Sequence, residues 1–159
     1  MSRVPVIRQA STLATFLQLV VLGMAMAIGW YLASAPEGAI AGIAVYLAYS
    51  ISVRLLIPRD HRRGIRLVRH QQYEKAIEEF LRSYEFFTRF AWIDRFRAIF
   101  LMSPSTMSYR EMALCNTAFC YSQIGKGEQA LKFYQQAISE FPDCGLAEAA
   151  IRMIESAKV

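Results

Sequence analysis

Two long apolar runs open the chain, and amphipathic stretches follow them. Between Ser11 and Ala33 the only polar residues are Ser11, Thr12, Thr15 and Gln18. The run of 23 residues predicts a helix long enough to cross a hydrocarbon core of about 30 Å. Trp30 and Tyr31 stand at its far end, where aromatic anchors favour a membrane interface. Ser34-Ala35-Pro36-Glu37-Gly38 predicts a turn. A second apolar run, Ala39 to Ile57, predicts a second membrane helix, with Arg54 placed to snorkel toward headgroups. Gly38 and Gly42 form a G-x-x-x-G, and Gly23, Ala25, Ala27 and Gly29 supply small residues on the first helix. Such faces allow close helix approach in lipid, but small residues are also simply common in membrane helices. Ala33-Ser34-Ala35 resembles a signal cleavage site, yet the run before it exceeds the roughly 7–15 residues of a signal core.

Beyond Pro58 the pattern changes to helical amphipathicity. Residues 59–70 place Arg62, Arg66 and Arg69 on one face, and a helix is predicted from about Tyr73 through YEKAIEEFLRSYEFF. Residues 89–108 include the most aromatic stretch, in which Trp92, Phe96, Ile99 and Phe100 recur at i, i+4, i+7 and i+8 beside Arg89, Arg95 and Arg97. Three readings stay open for this stripe: a core helix, a docking surface for a partner, or a helix lying in the membrane interface. Ser103-Pro104-Ser105-Thr106 interrupts it. Ser108 followed by Glu111 predicts a capping box. From Glu111 to Pro142 two helices are predicted around Gly125-Lys126-Gly127, and a last helix spans 146–157. Its predicted apolar face is Leu146, Ala149, Ala150, Met153, Ile154 and Ala157. The fold class is therefore all-α: a transmembrane hairpin (about 11–33 and 39–57) followed by a water-soluble helical domain over 58–159.

Composition supports that division. The mean hydropathy of +0.24 is high for a soluble single-core protein. Residues 11–57 carry only Glu37 and Arg54 as charged side chains, whereas residues 58–159 carry 27. The net charge of +5 is uneven: +6 through residue 70, and −1 from residue 71 onward. The basic excess, including Arg3 and Arg8, thus flanks the apolar runs. Arg59, Arg62, Arg63 and Arg66 suit an anionic lipid surface, and no basic helix interleaved with stacking aromatics suggests nucleic acid. By the positive-inside rule both termini and the helical domain lie in the cytoplasm, under a plasma or inner membrane.

Candidate chemistry changes little. Cys115, Cys120 and Cys144 form no C-x-x-C pair and fit a reduced compartment. His61 and His70 sit among arginines, which disfavour a metal and suit solvated side chains. No phosphate loop, nucleophile–base pair, metal set or cofactor motif is recognisable, so a non-enzymatic role is expected.

Leu114, Ala118, Tyr121, Gly125, Ala130, Tyr134, Ala137 and Pro142 together resemble one complete tetratricopeptide repeat, over 111–144. Thr117 stands where Leu is usual, and Gly127 where a large residue is usual. A degenerate copy is discernible over 58–88 in Gly64, Tyr73, Ala76 and Phe80, with Arg63 and Ser83 departing from the pattern. Ala76 and Ala130 lie 54 residues apart where adjacent units lie about 34 apart, which marks 89–108 as an insertion and 146–157 as a cap. The resemblance implies a concave protein- or peptide-binding face formed by Met112, Cys115, Asn116, Phe119, Ser122 and Gln123, with His61, Arg62, Ile65 and Arg69 from the degenerate repeat. It implies a membrane-anchored adapter that docks a partner at the cytoplasmic face. The alternative is a structural or assembly subunit of a larger membrane complex.

Overall fold

The apolar runs fold as α1 (Thr12–Ala33) and α2 (Pro36–Leu56), which pack against each other as a hairpin in the computed structural model. The structure describes residues 11–33 and 36–156. The leader with Arg3 and Arg8, the Ser34-Ala35 step and Ala157 lie outside the described residues. Among the described residues the chain is all-helical, without a strand. Seven further helices are α3 (Arg59–Arg69), α4 (Tyr73–Arg89), α5 (Ala91–Arg95), α6 (Arg97–Phe100), α7 (Tyr109–Gln123), α8 (Gly127–Glu140) and α9 (Gly145–Ser156). They form two compact units. Residues 11–57 and 95–107 make the first, and 58–94 with 108–156 the second.

In the first unit, α2 begins at Pro36, three residues before the predicted start. Proline lacks an N–H that the first helical turn would leave unpaired anyway, and its fixed φ suits that position. So Pro36, Glu37 and Gly38 are helix, not turn. Gly38 is buried against Gly29, and Gly42 against Ala25; a methyl group on any of these glycines would run into the facing backbone. Of the two readings of the small residues, close approach is the one observed. The outer sides carry exposed Leu13, Phe16, Leu32 and Val45. Both helices are long and apolar enough to cross a membrane.

Residues 95–107 return to this hairpin. The Pro104 carbonyl accepts from the Ser11 N–H at 2.7 Å, and Arg54 donates to the Met102 carbonyl at 2.6 Å. Met102 adopts a left-handed φ of 48°, a conformation costing a non-glycine residue roughly 1–2 kcal/mol. The Arg54 bond and the burial of Leu101 and Met102 hold it there. Arg97 donates to the Ser105 carbonyl at 3.1 Å and also to that of Thr106.

In the second unit α3, α4, α7, α8 and α9 pack successively, α4 lying on α7 across the insertion. The pairs α3–α4 and α7–α8 are built alike. At the end of α3, Gln71 N–H bonds the Val68 carbonyl and Gln72 N–H the Leu67 carbonyl, both at 2.9 Å. At the end of α7, Gly125 N–H bonds the Ser122 carbonyl at 3.2 Å and Lys126 N–H the Tyr121 carbonyl at 2.9 Å. Every one of these groups has its counterpart 54 residues on, the spacing read from Ala76 and Ala130. This double bond is how a left-handed residue closes a helix; Gly125 does so with φ 74° and Gln71 with φ 58°.

Equivalent positions also share burial. Ala76 and Ala130 are buried, as are Phe80 and Tyr134. Gly64 faces Phe80 so closely that an added Cβ would lie 2.6–2.9 Å from its ring. Ala118 is the buried counterpart of Gly64 on α7, 54 residues on. Ala76, Ile77, Phe80 and Cys120 form the inter-pair core, with Ile65, Val68, Tyr73 and Phe119 packed around it. On α9 the buried residue is Ala147, while Leu146 and Met153 are exposed. The packed face is thus turned from the predicted one, with Ala150, Ile151 and Ile154 half-buried beside Ala147.

Candidate docking surface

The predicted site rests on α3 and α7, the first helices of the two equivalent pairs. The N-terminus of α7 is fixed twice. Ser108 Oγ accepts from the Glu111 N–H at 3.1 Å, and Glu111 Oε2 accepts from the Ser108 N–H at 3.2 Å, which completes the predicted capping box. Asp94, buried on α5, accepts from the Tyr109 N–H at 2.8 Å and the Arg110 N–H at 3.1 Å. A carboxylate suits the positive end of a helix dipole. Nothing in local sequence marks Asp94 for this role, since its partners lie 15 and 16 residues away.

On α7, Gln123 is exposed, and Met112, Asn116, Phe119 and Ser122 are half-buried. Phe119 packs edge-on against Tyr73 at 6.3 Å between ring centres. Ser122 Oγ donates to the Phe119 carbonyl at 2.7 Å. On α3, Arg62 and Arg69 are exposed and Ile65 is half-buried against the core. Arg59, Arg63 and Arg66 are also exposed, with Arg63 and Asp60 at 4.0 Å.

Two of the positions carried over from the resemblance lie inside. Cys115 is buried with its sulfur 3.5 Å from that of Cys144, the residue before α9. Its hydrogen bond to Cys144, together with burial, pushes the Cys115 thiol up; that same bond draws Cys144 down. Burial pushes Cys120 up to about 12. His61 is likewise not solvated. It lies edge-on to Phe80 and Tyr109, each ring centre 5.4 Å away, with Ser83 Oγ 3.4 Å from Nδ1. Burial, not the neighbouring arginines, lowers its pKa to about 4.

A polar cluster that the sequence did not suggest joins α4, α7 and α8. Glu140 accepts from Tyr84 and Arg110 at 2.5 Å each and from Gln136 at 2.9 Å. Arg110 also lies over the rings of Tyr84 and Phe141. Burial opposes ionisation of Glu140, but the bonds from Tyr84 and Gln136 and the Arg110 charge outweigh it and hold its pKa low.

The aromatic stripe does not lie on one helix. α5 stops at Arg95 and α6 starts at Arg97, which breaks the register at Phe96. Trp92, Phe96 and Phe100 are exposed, and Ile99 is half-buried. Among the described residues no group of three or more His, Cys, Asp or Glu side chains could hold a metal ion. No protein-family model, curated protein or solved structure matches the chain. The likeness to tetratricopeptide repeats stands on the residue pattern alone.

Proposed function

We propose that this protein is a membrane-anchored adapter, in which the α1–α2 hairpin holds the helical stack at the cytoplasmic face and the α3–α7 surface docks a protein or peptide. The observation that carries this reading is the make-up of that surface. Exposed Arg62, Arg69 and Gln123 accompany half-buried Met112, Asn116 and Phe119 on equivalent helices of two like-built pairs. Small apolar patches with a polar rim are the usual anatomy of a non-obligate interface. The two arginines favour a partner segment bearing carboxylates. The positive-inside rule supports the cytoplasmic assignment, since arginines flank the open end of the hairpin in sequence, whereas Glu37 in the first turn of α2 is the charged residue beside its closed end.

A structural subunit of a larger membrane complex is the second reading, favoured by the apolar side chains that α9 leaves uncovered, Leu146 and Met153. An anchor exchange separates the two. Because residues 95–107 pack on the hairpin, they must be exchanged together with 1–57 for an unrelated two-helix anchor. Retained partner capture in membranes supports the adapter; loss of capture with the helical stack still folded supports the subunit.

A further inference from the structure

The insertion between the two helix pairs has a hydrogen-bonded position on the hairpin. Its Pro104 carbonyl is bonded to Ser11, immediately before α1, and its Met102 carbonyl to Arg54, in the last turn of α2. Tyr49 adds a longer bond to the Phe100 carbonyl at 3.4 Å. Ser11 and Arg54 mark the same end of the hairpin. Helices of 22 and 21 residues are about 33 and 32 Å long, hardly more than a hydrocarbon core of about 30 Å. If the hairpin crosses a bilayer, its ends fall at the boundary between acyl chains and headgroups. A segment bonded to one end falls there too.

The composition of the segment suits that depth. Phe96 and Phe100 are 51% and 38% exposed, while Leu101 and Met102 beside them are buried. Arg95 is exposed next to Phe96, and Arg97 closes the loop through the Ser105 and Thr106 carbonyls. Aromatic rings beside arginines favour the interfacial layer, the rings toward the acyl chains and the cations toward phosphate. The outer surface of the hairpin is also apolar and exposed, and it belongs to the same unit as the segment.

We propose that residues 95–104 form an interfacial collar lying in the headgroup layer at the Ser11–Arg54 end of the hairpin, with Phe96 and Phe100 set against the acyl chains. The collar rests on the hairpin crossing the bilayer. It gives the chain linking the two helix pairs a second membrane attachment.

Depth-dependent fluorescence quenching tests it. The full chain, with Trp30→Phe and Trp92→Phe, is placed in phosphatidylcholine–phosphatidylglycerol vesicles. It carries a single tryptophan through Phe96→Trp, Phe100→Trp or, midway along α1, Met24→Trp. Lipids spin-labelled near the headgroup should quench Phe96→Trp and Phe100→Trp most. Lipids labelled deep in the acyl chain should quench Met24→Trp most. If Met24→Trp is quenched as stated but both collar probes answer only to aqueous iodide, the collar is overturned and the hairpin stands. Collar probes shielded from lipid and iodide alike, or quenched chiefly from the bilayer centre, overturn it equally. If Met24→Trp escapes lipid quenching, the spanning hairpin fails and the collar with it.

Discussion

His61 shows how far a residue's surroundings can depart from its sequence neighbours. Its nearest charged residues along the chain are Asp60, Arg62 and Arg63, yet its ring is enclosed by Phe80, Tyr109 and Ser83. Burial lowers its pKa from 6.5 to about 4, so in that interval the unfolded chain binds the proton and the folded chain does not. Stability is then complete above pH 6.5 and falls as pH drops toward 4, by about 3 kcal/mol in total. Glu140 adds a loss in stronger acid. Its folded pKa is depressed below the ordinary 4.5, so its contribution is present above that value and disappears as pH falls through the lower one. Denaturant titrations between pH 7.5 and 4.5 should show the His61 slope, and His61→Phe should flatten it. An unchanged slope in the variant would assign the acid sensitivity to other groups.

At the scale of elements, the helix ends account for what could and could not be read in advance. α7 was legible because Ser108 and Glu111 signal its start within four residues, and α4 and α8 because Ala76, Phe80, Ala130 and Tyr134 repeat at fixed spacing. The insertion was not legible. Trp92, Phe96, Ile99 and Phe100 satisfy a helical period, but the segment turns at left-handed Met102 and is bonded by partners remote in sequence, Ser11 and Arg54. The role of Asp94 is hidden in the sequence for the same reason, as is the contact of Cys115 with Cys144, 29 residues away.

Two substitutions test the helix ends in opposite directions. Asp94→Ala strips two N–H groups of a buried charged acceptor and should cost about 1–3 kcal/mol, with amide exchange quickening first at Tyr109 and Arg110. Gln71→Gly relieves a left-handed residue at the α3–α4 turn and should stabilise by about 0.5–1 kcal/mol. Equilibrium unfolding reads both. A destabilised Gln71→Gly would mean that the side chain at this turn contributes more than the backbone conformation costs.

For the whole molecule, the hairpin and the helical stack impose different requirements on any probe of topology. Cys115, Cys120 and Cys144 are buried, so native thiols should label slowly on either side of a membrane. Met153 is 72% exposed on α9, and Glu37 is exposed at the first turn of α2. With a membrane-impermeant maleimide on intact cells, Glu37→Cys should label and Met153→Cys should not. Permeabilisation should then expose Met153→Cys. Labelling of Met153→Cys in intact cells would invert the topology and remove the docking surface from the cytoplasm.

The docking role itself is addressed most directly by site-specific photocrosslinking of the full chain in its own membranes. A benzophenone side chain is placed at Gln123 or, as a control on α4, at exposed Glu85. An adapter working through α3 and α7 should give a discrete adduct of higher mass from Gln123, abolished by Arg62→Glu with Arg69→Glu, and none from Glu85. Equal adducts from both positions, or a Gln123 adduct indifferent to the two arginines, would contradict docking through this surface.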